Sequence, residues 1–220
     1  MKTEIVCCET IKDELCAAME SSSTHYPVHW LPAGLHNVPK DLHRSLQAIF
    51  DQLSCERLLV AMGLCGNAIS GVWTRDFEMV LPRADDCISL LLGQDRRLAL
   101  GREKPTYYLT KGWLDGERNI WAEYQYAIEK YGPKRGKMIN DIMYAHYRRL
   151  GVVDTGGYQL AEIEPLTHQI ANTLGLEHKI VPAGVEHICH LLTGPWSSDL
   201  YYRIPPQTCI QIYAPNANLQ

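Results

Sequence analysis

Short β-rich runs alternate with segments of helical periodicity along most of the chain, and this alternation constrains the fold more than any other feature. Runs such as "TEIVCC", "RLLVAM", "FEMVLP" and "GVVDT" are aliphatic or β-branched and have the length of buried strands. Between them, "VPKDLHRSLQAIFDQL" places leucine and isoleucine on one helical face. The pattern predicts an α/β fold: a three-layer, doubly wound, mostly parallel sheet with helices on both faces.

The chain has 220 residues, of which 46% are hydrophobic, and this is enough for a single α/β domain. We expect one domain over residues 1–220, with a helical insertion at about residues 111–150 whose second helix ends in Arg148 and Arg149. The formal charge of −4 does not favour nucleic acid or an anionic membrane as a partner. No apolar run approaches the ~20 residues that span a bilayer, and the N-terminus lacks the apolar core of a signal peptide. We therefore expect a cytoplasmic protein, whose oligomeric state stays open.

Eight cysteines in a chain expected in a reducing compartment need an explanation other than disulfide bonds. Free cysteine often packs as a small hydrophobe, and we assign that role to half of them: Cys16, Cys55, Cys189 and Cys209. The other four follow strand-like runs: Cys7 and Cys8 close the first, Cys65 follows "LLVAMGL", and Cys87 follows "MVLPRADD". Their shared position indicates a common role.

Neighbouring parallel strands end at one edge of a sheet, where doubly wound folds bind their ligands. If these strands are neighbours, their thiols meet in that crevice. Gly63 and Gly66 would let the intervening loop, which ends at Asn67, turn sharply and approach a bound group. Helices beginning after Cys65, around "AISGVW", and at Cys87 would favour the thiolate and receive an anionic substrate group. Converging thiolates indicate a metal site; the alternative is three packed cysteines.

Five blocks of the chain resemble successive blocks of a prokaryotic family known as domain of unknown function 1638: "VCCETIKDEL", "LPAGLHNVPKDL", "GLCGNAISG", "PRADDCISLLLG" and "PTYYLTKGW". The resemblance implies that the metal ligands are Cys8, rather than Cys7, together with Cys65 and Cys87. Several relatives have histidine before the third cysteine, where this chain has Asp86. A carboxylate can replace imidazole as a hard ligand or as an acceptor behind a ligand. The resemblance also implies a setting beside corrinoid-dependent methyl transfer in anaerobes.

Three hypotheses for the function follow. In the first, the three cysteines bind Zn²⁺, which presents a small-molecule thiol as a thiolate for methyl transfer from a corrinoid protein. In the second, they hold a [4Fe–4S] cluster with one iron open to a small substrate. In the third, the chain is a non-catalytic partner of a corrinoid protein and uses an aromatic-rich region: Tyr107, Tyr108, Trp113, Trp121, Tyr124, Tyr126 and Tyr131. We favour zinc and a metal-dependent transferase, because Asp86 is a hard neighbour.

His36 and Asn37 follow the second strand-like run and therefore belong to the same sheet edge as the cysteines. A neutral His36 imidazole could relay a proton or supply a fourth ligand. The alternative is that Asn37 caps the next helix and His36 is a turn residue. The candidate catalytic residues are thus His36 and Asp86, and the candidate cofactor-binding residues are Gly63, Gly66, Asn67 and Tyr108.

Overall fold

Two mostly parallel sheets organise the chain in the computed structural model, which describes residues 1–212. The five-stranded sheet has the order β2-β1-β3-β4-β8 and comprises Thr3–Cys8 (β1), Val28–Leu31 (β2), Arg57–Ala61 (β3), Glu78–Pro82 (β4) and Tyr201–Ile204 (β8). The three-stranded sheet has the order β5-β6-β7 and comprises Thr106–Leu109 (β5), Arg149–Asp154 (β6) and Glu177–Pro182 (β7). Residues 213–220 of the predicted domain 1–220 lie outside the described residues.

Eight helices connect these strands within the described residues. They are Lys12–Ser21 (α1), Pro39–Phe50 (α2), Cys87–Leu92 (α3), Gln94–Glu103 (α4), Lys111–Leu114 (α5), Ile120–Met143 (α6), Leu160–Leu174 (α7) and Glu186–Thr193 (α8). Strands β2 and β3 flank β1 on opposite sides, so right-handed crossovers place α1 and α2 on opposite faces of the sheet. The α/β class and the mostly parallel, helix-covered architecture predicted from the sequence are confirmed.

The division into two sheets differs from the single sheet that the alternation predicts. Strand β8 pairs antiparallel with β4, with Met79 opposite Ile204, and thereby occupies the edge where a further parallel strand would have joined. Strand β5 pairs instead with β6. Alternation along the chain identifies strands but carries no information about which strand takes which edge.

One predicted helix does not form in the structure, and another ends earlier than predicted. Residues 65–71, around "AISGVW", form turns instead of a helix, and Gly71 has a left-handed φ of 84° that breaks the helical path. The helix predicted to end at Arg148 and Arg149 ends at Met143, and Arg149 begins β6. There the buried Arg149 guanidinium forms ion pairs with Glu103 and Glu177, and those pairs hold it in the sheet.

Helix α6 comes between β5 and β6 in the chain and is broken in its middle. Gly132 has non-helical angles, with φ 78°, and Pro133 follows it. The two halves then pack closely, because a Cβ on Gly136 would lie 2.6 Å from the Ala127 backbone. In the part of the chain that the structure describes, no helix is long and apolar enough to cross a membrane.

Candidate metal centre

The three cysteines singled out by the sequence lie at the ends of three neighbouring strands. Cys8 is the last residue of β1, Cys65 follows β3, and Cys87 is the first residue of α3, after β4. Strands β1, β3 and β4 are consecutive in the sheet. Strand β2 lies on one side of β1 and strand β3 on the other, so the direction of the strand order reverses between β1 and β3. The crevice between β1 and β3 is therefore the topological switch point, where such sheets bind ligands.

The loops after β3 and β4 stay hydrogen-bonded beyond the strands, and this brings Cys65 beside Cys87. The Leu64 N–H donates to the Ala84 carbonyl and the Cys65 N–H to the Asp85 carbonyl, each at 2.9 Å. Gly63 permits this approach, because a Cβ there would lie 2.4 Å from the Cα of Asp86. Gly63 was predicted to approach a ligand; in the structure it approaches the neighbouring loop.

The three thiols interact in a row with Cys87 in the middle. Hydrogen bonding with Cys87, followed by burial, raises the pKa of the Cys8 thiol far above its usual range, while a hydrogen bond from Thr10 opposes this rise. The Thr10 hydroxyl donates to Cys8 Sγ at 3.0 Å. Hydrogen bonding with Cys65 and burial raise the pKa of the Cys87 thiol, whereas hydrogen bonding with Cys8 lowers it. The metal-free thiols of Cys8 and Cys87 are therefore neutral, contrary to the thiolate expected from a helix dipole at Cys87.

Backbone strain is concentrated at Cys65. Cys65, Gly66 and Asn67 have φ values of 45°, 67° and 65°, so three consecutive residues occupy the left-handed region. This conformation costs a non-glycine residue roughly 1–2 kcal/mol and is typical of functional sites. No helix begins here, and the dipole expected to act on Cys65 is missing.

Cys7 adjoins this centre, because the charges of Cys8 and Cys87 act on its thiol, while the other four cysteines lie elsewhere. Cys7 is fully buried, and burial raises its pKa well above the usual value. Cys55 is also buried, with its pKa raised by burial to about 11, and Cys189 Sγ donates to the Ala18 carbonyl at 3.7 Å. The prediction that Cys16 has a packing role is wrong, because Cys16 is exposed on α1. Cys209, predicted to lie in a strand at residues 208–213, forms only an isolated bridge with Trp73, and Tyr213 lies outside the described residues.

Asp86 directly precedes Cys87 in the chain, and His36 is near enough to Asp86 for its charge to act on the imidazole. His36 sits in a short 3₁₀ turn, with its ring 4.9 Å from that of Trp113. Burial lowers the pKa of His36 and the charge of Asp86 opposes this, so the imidazole is neutral at pH 7. Asp86 caps α3, where its Oδ1 accepts from the Ser89 N–H at 2.6 Å. Asn37 does not cap α2, which begins with Pro39 and has Val38 at its cap without a side-chain bond.

The predicted aromatic region packs largely inward. Tyr108 is only 5% exposed and belongs to the main hydrophobic core, which contains residues of both sheets. Tyr107 packs edge-on against Tyr144 and Tyr147. Of the seven aromatic residues named from the sequence, Tyr126 and Tyr131 remain exposed as large apolar side chains on α6.

Arg97 on α4 is a candidate that the sequence argument missed. Its guanidinium carbon lies 4.5 Å over the Tyr108 ring, and its Nη2 lies 3.9 Å from Asp86 Oδ2. The only sequence signal is the "QDRR" start of a helix shortly after Cys87. That pattern cannot tell which of two adjacent arginines faces the centre.

Among residues 1–212, no group of three or more His, Cys, Asp or Glu side chains is arranged so that it could hold a metal ion in this structure. The donor set is nevertheless the one that thiophilic metals prefer, because three thiols share one sheet edge and Cys87 interacts with each of the other two. Binding of one ion by all three requires them to lose their protons and to close around it.

Comparison with known sequences addresses the family. A sequence model of the family described as "Protein of unknown function (DUF1638)" matches residues 30–192, about three-quarters of the chain. The chain belongs to this family. In this DUF1638 protein the matched range includes Cys65 and Cys87 but begins after Cys8, so the place of Cys8 in the centre rests on its contacts with Cys87 and Thr10. No curated protein and no solved structure matches the chain.

Proposed function

We propose that Cys8, Cys65 and Cys87 bind one metal centre, with Zn²⁺ as the first candidate. The observation that carries the proposal is the placement of three thiols after three neighbouring strands, at the switch point of the sheet, with Cys87 interacting with both of the others. Burial and mutual hydrogen bonding keep Cys8 and Cys87 protonated, so neither supplies a thiolate by itself at neutral pH. A cation would compensate the charge of three thiolates in this position.

The residues around the thiols give the centre a closed and an open side. Cys8 and Cys87 are 9% and 4% exposed, whereas Cys65 is half-buried on its strained loop. The Thr10 hydroxyl supports the sulfur of Cys8 from the closed side. Substrate would therefore approach from the side of Cys65.

We further propose that the protein is a cytoplasmic, metal-dependent transferase that acts on a small molecule, with a corrinoid protein as the methyl donor. Bound zinc would supply a Lewis acid that lowers the pKa of a substrate thiol. The neutral His36 imidazole would accept the proton of that thiol, and its packing on Trp113 would fix the orientation of the ring. The corrinoid link rests on the family resemblance alone.

A [4Fe–4S] cluster with one open iron is the second candidate. The proposed donors are all sulfur, and Asp86 uses one carboxylate oxygen as a helix cap. An all-thiolate set with three members suits a cluster as well as zinc. A non-catalytic corrinoid partner is the third, with the exposed Tyr126 and Tyr131 as the available aromatic surface.

Metal analysis of protein purified without oxygen tests the centre. We expect about one zinc per chain without visible absorption, or iron and acid-labile sulfide with a broad visible band for the cluster. Cys65→Ser should lose most of the metal and stay folded, because the loop lies outside the sheet. Cys189→Ser, the same substitution at a half-buried cysteine on α8, should keep it.

Full metal occupancy in Cys65→Ser would refute the proposed three-cysteine metal centre. Neither zinc nor iron in the wild-type protein would also refute it, and would favour the non-catalytic partner.

A further inference from the structure

Two buried hydrogen-bonding atoms next to the thiol centre have no partner within residues 1–212. They are Nε of Arg97 and the hydroxyl of Tyr108. Buried polar atoms in proteins are nearly always hydrogen-bonded, so each such exception requires an explanation. Here the two exceptions belong to side chains that contact each other, since the guanidinium lies over the tyrosine ring.

The position of the pair connects it to the candidate metal centre. Tyr108 comes from β5 of the three-stranded sheet, and Arg97 comes from α4. Arg97 Nη2 is 3.9 Å from a carboxylate oxygen of Asp86, the residue directly before Cys87. The pair therefore lies where the second sheet meets the edge that carries the thiols.

The guanidinium keeps its hydrogen-bonding capacity. A separation of 3.9 Å from Asp86 is too long for a hydrogen bond, and Nε of Arg97 has no partner within the described residues. The Asp86 oxygen closest to the cap is already bonded to Ser89. The Arg97 side chain is 26% exposed, so a ligand can reach part of it from solvent, although its Nε is buried.

We propose that Arg97 and Tyr108 bind the oxyanion group, a carboxylate or a phosphate, of the small molecule that is processed at the thiol centre. This inference rests on the proposed function and names its substrate class. A guanidinium nitrogen can only donate and a phenolic hydroxyl donates readily, so the missing partner is an acceptor. The planar fork of arginine matches carboxylate and phosphate oxygens. The ring below the guanidinium holds it in place.

Anion titration of the full chain tests the proposal, with sodium acetate and sodium phosphate as probes at constant ionic strength. Binding is followed by calorimetry, on protein whose metal content is measured in parallel. We expect the wild-type protein to bind at least one probe, and its preference identifies carboxylate or phosphate as the substrate group. Arg97→Lys keeps the charge but loses the fork, and Tyr108→Phe loses only the hydroxyl. Each should weaken binding by about tenfold or more.

Arg96→Lys is the matched control, because Arg96 is the exposed neighbour of Arg97 on the same helix, and it should bind as the wild type does. The proposal is overturned if the wild type binds neither probe, or if Arg97→Lys and Tyr108→Phe bind the preferred probe with wild-type affinity. Metal loss in Cys65→Ser is scored separately, so a failed anion site and a failed metal centre give different results.

Discussion

Two residues near the thiol centre each have a feature that destabilises the fold and that a purely structural role would not retain. Cys65 occupies a left-handed backbone conformation, and Tyr108 buries a hydroxyl that nothing in residues 1–212 satisfies. Strain and unsatisfied polar groups persist at functional sites because the residue is needed there for its chemistry. Both costs occur close to the three thiols.

Tyr108→Phe is expected to stabilise the protein in the absence of anions. Removing a buried hydroxyl that lacks a partner relieves its desolvation cost, so we expect unfolding in urea to require about 1 kcal/mol more. Tyr158→Phe provides the contrast, because the buried Tyr158 hydroxyl donates to the Val153 carbonyl. That variant should lose about 1 kcal/mol. Equal losses in both variants would mean that the Tyr108 hydroxyl is satisfied.

The shared sheet edge of the three cysteines could be predicted from the sequence, whereas the position of Arg97 could not. Where a strand ends is visible in the sequence, and parallel strands end at one edge, so the meeting of Cys8, Cys65 and Cys87 could be anticipated. The direction of an arginine on a short helix depends on how that helix is rotated. Arg96 and Arg97 are adjacent in sequence, yet one faces solvent and the other Tyr108.

At the scale of elements, the paired loops after β3 and β4 place the thiols. Their two hydrogen bonds continue the parallel ladder, and Gly63 sets the distance between them. The alternating pattern correctly indicated strands β1 to β7 and Pro39 at the start of α2, but it missed β8. It incorrectly indicated a helix after Cys65, because aliphatic residues in "AISGVW" pack from turns as well as from a helix.

Gly63→Ala should separate these loops and lose the metal centre. The added Cβ would overlap the Asp86 backbone, which cannot move as a flexible side chain can. We expect a loss of about 2–3 kcal/mol in the free energy of unfolding, together with reduced metal content. Gly175→Ala is the control: Gly175 has a φ of 67° at the end of α7 with nothing close to its Cβ position. Gly175→Ala should cost about 1 kcal/mol and keep the metal. If both variants lost metal, the metal loss in Gly63→Ala would reflect reduced stability alone and not the separation of the loops.

At the scale of the whole molecule, the edge that carries the thiols is joined to the second sheet. The Thr110 hydroxyl donates to the Thr10 carbonyl at 2.7 Å, and Gly112 approaches the same turn so closely that a Cβ would lie 2.7 Å from the Glu9 carbonyl oxygen. Glu14 on α1 is fully buried at this junction and accepts from the Thr155 hydroxyl, which follows β6, at 3.2 Å. Its second carboxylate oxygen has no partner within the described residues.

Glu14 should make stability fall as the pH rises. Burial raises the pKa of Glu14 from 4.5 to about 7, so the folded chain holds a proton that the unfolded chain releases between these values. The free energy of unfolding should therefore decrease by about 3 kcal/mol across that window and stay low above it. Glu14→Gln mimics the protonated carboxyl and should remove this decrease, as measured by urea unfolding at pH 5 and pH 8. Glu20→Gln, at an exposed position of the same helix, should keep the wild-type pH dependence. An unchanged pH dependence in Glu14→Gln would contradict the assignment.

The late return of β8 to the edge of β4 has a consequence for biosynthesis. The ribosome makes β1, β3 and β4, with their cysteines, long before Tyr201–Ile204 emerges, and until then β4 presents an open row of backbone donors and acceptors. A chain cut before β8 is expected to retain all three thiols but to aggregate through this uncovered edge. The nascent protein thus passes through an interval in which its cysteines are complete while its principal sheet is not.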